Sequence, residues 1–237
     1  MDNNLLLIGV SSIIVISVII LLVYLVFNKN KVYLGNGFEI AMLNSLDSSI
    51  TPNSSIIPFK NNGFTISFWI YMDDFYENYL YWKHIFHKGT PLENKTLSYQ
   101  YWYNIETEIP QQLIGLWLHP DKNDLRIALS TVIEPKQNSD IKNYFNKEKL
   151  EFCDIKNIPS KTLINYTIII DEQTVSVFKN GLLHKTCGLH GRPLMNLGDM
   201  YFNYQKTYSG SLYNYKYFPR VISIKNIKKL FKLKPTI

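Results

Sequence analysis

Residues 163–191 read LINYTIIIDEQTVSVFKNGLLHKTCGLHG. Residues 163–170 and 174–179 are rich in β-branched side chains, and the polar turn Asp171-Glu172-Gln173 separates them, the pattern of two strands and a turn. Asn180-Gly181 then divides VSVFK from LLHKT. Both residues accept positive φ, as a type I′ turn demands, and the twist of that turn matches a two-residue hairpin. The register pairs Lys179 with Leu182 and Phe178 with Leu183. A hairpin turning at Asn180 and Gly181 is predicted.

The same grammar extends outward on both sides. In FTISFWIYM (64–72), Phe64, Ile66, Phe68 and Ile70 alternate with Thr65, Ser67, Trp69 and Tyr71, giving one apolar face and one mixed face. KHIFHK (83–88) leads into Gly89. QLIGLWL (112–118) runs to the turn HPDKND (119–124), and LRIALST (125–131) follows. Residues 201–204 and 211–218 complete the set. No segment between 64 and 220 sustains a helical period. Many short strands punctuated by Pro and Gly turns argue for an all-β sandwich or barrel. At the C-terminus the period changes. Ile224, Ile227, Leu230 and Phe231 fall on one helical face with Lys225, Lys228, Lys229 and Lys232 opposite, and Lys234 and Pro235 follow. A closing helix docked on the strands is expected, with a membrane-surface or partner-binding helix as the alternative.

The N-terminus is of another kind. From Leu5 to Phe27 the chain reads LLLIGVSSIIVISVIILLVYLVF, without a charged residue. As a helix this run spans about 34 Å, enough to cross a hydrocarbon core of about 30 Å. A cleaved signal peptide fits less well, because the apolar core is long and both a basic leader and a small-x-small cleavage site are missing. A retained single-pass anchor contacting the bilayer through Leu5 to Phe27 is the expectation. Lys29 and Lys31 flank it, so the positive-inside rule puts the following domain on the cytosolic side. The organisation expected is an anchor over 1–28, a stalk with a lead-in strand over 29–55, a β-sandwich over 56–222 and a basic amphipathic helix over 223–237.

The net charge of +6 is a property of the tail: without Lys225, Lys228, Lys229, Lys232 and Lys234 it falls to +1. A nearly neutral domain has no stripe that tracks phosphates, so nucleic acid is not expected as a partner. Aromatic residues make up 14 % of the chain, with 17 Tyr and 13 Phe, which argues against disorder. The two cysteines, Cys153 and Cys187, are either buried thiols on neighbouring strands or a single disulfide. Three glycosylation sequons begin at Asn53, Asn94 and Asn165, a number that chance supplies in a chain so rich in Asn, Ser and Thr.

No catalytic constellation survives its spacing. A sandwich glycosidase needs two carboxylates flanking the scissile bond, and no Glu is followed two positions later by Asp. Glu106-Thr107-Glu108 runs into Ile109-Pro110 and reads as a solvated loop. His84 and His87 form an H-x-x-H, but on a strand residues three apart face opposite ways and cannot meet one metal. No cofactor and no metal are expected, and the chain does not read as an enzyme. Aromatic clusters are more suggestive. Phe75, Tyr76, Tyr79, Tyr81 and Trp82 precede one strand, while Tyr101, Trp102 and Tyr103 sit in the long insertion after it. Tyr81, Trp82, Tyr101, Trp102 and Tyr103 are the candidate contacts for a glycan or a protein partner, since exposed aromatics stack on sugars and dominate interfaces.

With these strands in place, residues 56–227 resemble the laminin-G-like, concanavalin A-like lectin/glucanase domains. The resemblance rests on FTISFWIYMDD and HIFHKG, on IGLWLHPDKNDLRIALST, on FCDIKNIP, on the stretch quoted above and on YFNYQKTYSGSLYNYKYFPRVIS. It implies an antiparallel jelly-roll sandwich. It implies neither hydrolysis, because the Glu-x-Asp-x-x-Glu strand of the glucanases is absent, nor a metal site. Such a domain behind an N-terminal anchor, in a chain rich in Asn, Ile, Lys and Tyr, resembles proteins of giant DNA viruses with an internal membrane. The function expected is a non-catalytic interaction module, structural in a virion (a minor capsid or membrane protein), joining a membrane to a protein shell. The alternative is a membrane-tethered lectin, with a glycoside hydrolase a distant third.

Overall fold

A computed structural model of the chain describes residues 15–20, 38–44, 49–51, 63–91, 111–133, 147–196, 198–203 and 207–235. The chain divides into two compact units, residues 1–33 and 34–237. In the first, residues 15–20 are helical. The rest of the expected span over 5–27, and the flanking Lys29 and Lys31, lie outside the described residues. Among the described residues, no helix is long and apolar enough to cross a membrane.

The second unit is all-β apart from one helix. Its strands are β1 (Phe38–Asn44), β2 (Ser49–Thr51), β3 (Gly63–Met72), β4 (Lys83–Gly89), β5 (Gln112–Leu118), β6 (Leu125–Ile133) and β7 (Lys147–Ile155). They are followed by β8 (Leu163–Asp171), β9 (Thr174–Lys179), β10 (Leu182–Gly188), β11 (Arg192–Pro193), β12 (Met200–Phe202) and β13 (Gly210–Phe218), with helix α1 (Ile224–Lys232) last. One antiparallel sheet runs β1-β13-β3-β8-β9-β10. The other runs β11-β6-β5-β4-β12-β2, with β7 also on β6. β1 and β2 lie within residues 29–55, where a stalk and lead-in strand were expected. β1 is hydrogen-bonded along β13 and β2 along β12, so the sheets begin before residue 56.

The alternation in β3 builds the interior. Phe64, Ile66, Phe68, Ile70 and Met72 are buried in one core with Ile85 and Phe86 of β4, Leu116 of β5, Ile168 of β8 and Tyr215 of β13. Phe68 meets Phe86 edge-on at 5.4 Å, joining the two sheets face to face. The mixed face of β3 is buried too. Ser67 and Thr167 share a hydroxyl hydrogen bond at 2.9 Å, and Thr65 Oγ1 donates to the Arg220 carbonyl at 2.9 Å. Trp69 stacks on Phe231 of α1 at 5.7 Å. The helix thus lies on the outer side of the first sheet, burying Ile227 and Leu230. Ser223 caps its start by accepting from the Asn226 amide, and Asn214 Nδ2 donates to the Leu233 carbonyl at its end. The basic residues of the tail project from a docked helix.

The hairpin turns at Asn180 (φ 53°) and Gly181 (φ 78°), with Leu182 opposite Lys179 and Leu183 opposite Phe178. Asn165, the first residue of one sequon, is buried in β8 and spends its amide on the Phe68 carbonyl at 3.0 Å; Asn53 and Asn94 lie outside the described residues. Cys153 and Cys187 form a disulfide. They are on β7 and β10, edge strands of different sheets, so the bond staples the sandwich along one side.

Breaking that staple removes a constraint on the unfolded chain. For cysteines 34 residues apart, the loop-closure relation gives about 4 kcal/mol. The Cys153→Ser, Cys187→Ser double variant is expected to lose 3–4 kcal/mol, roughly, in denaturant unfolding, and reduction of the native chain should have the same effect. Gly181→Val forces a β-branched residue to positive φ against Phe231, costing about 2 kcal/mol or more in the same assay.

Candidate functional site

At the rim where β3 ends, three loops enclose a cleft of about 860 Å³. The β3–β4 loop contributes Phe75, Tyr76 and Tyr79. The β5–β6 turn contributes His119 to Asp124. Arg126 of β6 and Asp154 of β7 form the wall, and Lys156, Asn157 and Ser160 close it from the β7–β8 loop.

Local chemistry holds each loop in place. Asp74 Oδ1 accepts from the Tyr76 amide at 2.8 Å, an Asx turn that starts the first loop. Asn78 and Leu80 take positive φ and fold it back, and the Leu80 amide donates to the Pro120 carbonyl at 3.3 Å. Lys83, buried under the rim, donates from Nζ to the same carbonyl at 3.3 Å. Burial lowers its pKa, against Asp121 and Asp74. The β5–β6 turn closes with the His119 amide on the Asp124 carbonyl at 2.9 Å. It is tied to the third loop by Asn123 Nδ2 on the Ile158 carbonyl at 3.1 Å and the Asn157 amide on Asp124 Oδ1 at 2.9 Å. Hydrogen bonds thus tie the three loops to one another.

The wall is a stacked ion pair. Arg126 donates through Nε and one terminal nitrogen to both oxygens of Asp154, at 2.7 Å each. Its guanidinium lies over Trp82 at 5.0 Å and over Phe152 at 4.5 Å. A planar fork clamped between two rings loses little further freedom when it binds a carboxylate. Trp82 in turn meets His119 edge-on at 4.8 Å. Among the described lining residues, Asp154 is paired with Arg126, Asp124 accepts from the Asn157 amide, and Asp121 lies 2.7 Å from His119 Nδ1, in a geometry that does not make a hydrogen bond. Burial lowers the His119 pKa, with Asp121 opposing. What the cleft offers a ligand is flat aromatic surface, Tyr76 at 79 % and Tyr79 at 50 % exposure, beside Lys122, Asn123, Lys156 and Ser160.

The expected contact residues divide accordingly. Tyr81 is exposed on the same loop but stands beside the cleft lining. Trp82, expected as an exposed platform, is 1 % exposed and serves as the support for Arg126. Tyr101, Trp102 and Tyr103 lie outside the described residues. Tyr76 and Tyr79, noted only as members of the aromatic cluster, carry the exposed surface. Sequence reasoning missed Arg126 and Asp154, because they meet only through the pairing of β6 with β7.

His84 and His87 require a correction. A bulge between His84 and Phe86 makes Ile85 an extra residue on β4, so the two histidines share the outer face of the strand. His84 Nε2 and His87 Nδ1 are 2.8 Å apart, and His87 Nε2 is 3.1 Å from the Thr90 carbonyl, the arrangement of two neutral rings in series. Tyr201 stacks on His87 at 4.7 Å, and Trp117 meets His84 edge-on at 4.6 Å. Among the described residues, no group of three His, Cys, Asp or Glu side chains is placed to hold a metal. Elsewhere, buried Glu151 accepts from Thr131 Oγ1 at 2.6 Å and from the amides of His190 and Gly191 at 2.8 and 3.0 Å, pinning the loop that leads into β11.

No protein-family model and no characterised protein sequence matches the chain. Solved structures do. The receptor binding domain of botulinum neurotoxin mosaic serotype C/D is similar with a TM-score of 0.53 at 14 % identity, over 86 % of this chain and 43 % of that one. The binding domain of botulinum neurotoxin serotype D gives 0.52 at 13 % identity, over 86 % and 43 %. The serotype D ligand binding domain in complex with N-acetylneuraminic acid gives 0.51 at 12 % identity, over 83 % and 42 %. The chain spans less than half the length of these proteins, and at such identities the likeness shows the β-sandwich fold.

The histidine pair makes stability depend on pH. Burial lowers His84 well below the usual histidine range and His87 to about 4, the second His ring adding to the effect on His84. Above pH ~6.5 both are neutral whether folded or unfolded and contribute nothing. As pH falls from there towards 4, the unfolded chain takes up protons that the fold refuses. Stability then drops by up to about 1.4 kcal/mol per pH unit for each ring. Denaturant midpoints measured between pH 7.5 and 5 should fall, with a shallower slope for His87→Gln, while an unchanged midpoint would contradict the buried neutral pair.

Proposed function

We propose that this chain is a non-catalytic, lectin-like binding module whose cleft takes a carbohydrate. The observation that carries the reading is the pair of exposed tyrosines, Tyr76 and Tyr79, held at 6.4 Å between ring centres beside a rim of hydrogen-bonding side chains. Tyrosine faces stack on the apolar side of a sugar ring, and Lys122, Asn123, Lys156 and Ser160 can bond its hydroxyls. Both oxygens of the wall carboxylate, Asp154, are held by Arg126, which speaks against acid or base work by that residue. The neurotoxin binding domains support the reading by analogy, since one of them is described in complex with N-acetylneuraminic acid. The finer fold assignment, a jelly roll of concanavalin A type, belongs to the same proposal.

The module is proposed to be membrane-tethered through residues 5–27, whose uncharged length suits a span. That run favours a second reading, a structural module joining a membrane to a protein shell, as in a virion. The side of the membrane separates the two. Lys29 and Lys31 favour the cytosolic side, where a shell-joining module acts. The Cys153–Cys187 disulfide favours an oxidising compartment, where a glycan-binding one acts.

Glycan-array binding by the full chain tests the first reading. Tyr76→Ala with Tyr79→Ala should weaken binding by about tenfold to a hundredfold, equivalent to 1.4–2.8 kcal/mol, while leaving the unfolding transition in place. A blank array with folded protein would sink the lectin reading and leave the structural one.

A further inference from the structure

We infer that the face formed by the β9–β10 hairpin tip and helix α1 docks on an anionic lipid surface. The tip and the helix are not among the residues that line the cleft, and one link joins them to it, Lys185 Nζ donating to the carbonyl of the wall residue Asp154 at 2.6 Å. The hairpin tip touches the helix, since a side-chain carbon placed on Gly181 would sit 3.3 Å from Phe231 Cβ. Exposed apolar side chains flank that contact, Leu182 at 68 % and Leu183 at 61 % on the tip, with Ile224, at 61 %, about two turns along the helix from Phe231. Ile224 and Phe231 are seven apart, hence on one side of the helix. Adjacent exposed leucines at the end of a two-residue turn form a protrusion rather than a groove, the shape that enters a headgroup layer without a matching pocket.

Charge selects the occupant. The hairpin tip, residues 178–185, and the helix, residues 224–232, contain lysines and neither an acidic residue nor an arginine, with Lys185 held on the Asp154 carbonyl. Lys228 and Lys232 lie on the solvent side of the helix, opposite buried Ile227 and Leu230. Lysine is a flexible point charge suited to diffuse attraction by many headgroups. A face built to recognise carboxylates on a protein partner would be expected to use the arginine fork, as the wall of the cleft does. β10 is also the edge of its sheet, and the bulge between Leu183 and Lys185 breaks the regularity another strand would need for pairing.

The test is hydrogen exchange on the full chain mixed with lipid nanodiscs of phosphatidylcholine, alone or with added phosphatidylserine. Both discs offer residues 5–27 the same apolar interior, so insertion of that segment cancels in the comparison. The expected result is slowed exchange at residues 181–185 and 225–233 on phosphatidylserine discs only, reversed by salt. Lys228→Gln and Lys232→Gln should each raise the lipid concentration for half-protection about fivefold. Leu182→Asn with Leu183→Asn, both at the surface, should remove protection at the tip without altering the unfolding transition. Equal exchange on the two discs would overturn the inference. So would protection by a polyglutamate peptide with none on lipid, which would make the face a protein-binding one.

Discussion

Phe68 and Phe86 meet across the interior at 5.4 Å, and Tyr215 closes on both rings from β13. This contact between sheets is the constraint from which the rest follows. Each sheet alone has an apolar face that water disfavours, and the two faces can be buried together only by stacking them. Once the sheets are stacked, the ends of β3, β5 and β7 come to one rim, and the loops leaving them have no choice but to be neighbours. The cleft is a consequence of the core, made from segments far apart in the chain.

Polar groups were accommodated around this core in two different ways. On the buried polar faces several groups are paired, as with Ser67 and Thr167, Asn165 Nδ2 and the Phe68 carbonyl, and His84 with His87. Buried Lys88 reaches the Gly198 carbonyl from Nζ at 2.6 Å, and burial lowers its pKa to about 8. Where polar groups could reach water, as at Lys122 and Lys156 of the rim, they stay exposed. The stacked Arg126–Asp154 pair stands at the boundary: it is satisfied internally and closes one side of the cleft, but gives no free charge to a ligand.

The bulge in β4 shows how one residue redirects chemistry. On a regular strand His84 and His87 would face opposite sides, and the core would receive a histidine. With Ile85 as the extra residue, Ile85 and Phe86 both enter the core and both histidines leave it. The same position explains why the two rings can be hydrogen-bonded yet neutral. They are buried beside Trp117 and Tyr201, and that burial disfavours a charge on either ring.

By itself the sequence determined the local elements. Alternation in 64–72, the Asn180-Gly181 turn and the lysine-faced helix at the C-terminus are properties of neighbouring residues, governed by backbone sterics and by period, so they can be read without knowing what lies across the fold. It also marked the loop after β3 as aromatic. The tertiary structure alone decided which of those aromatics is a platform and which a support. Tyr76 and Tyr79 face solvent, while Trp82 is covered by an arginine from a strand more than forty positions away. It likewise decided that Cys153 and Cys187 join different sheets, that β1 and β2 belong to the sandwich, and that the strand of His84 and His87 is irregular. Each of these depends on which strands pair and in what register. Pairing is settled by the free energy of the whole core, to which distant residues contribute as much as near ones.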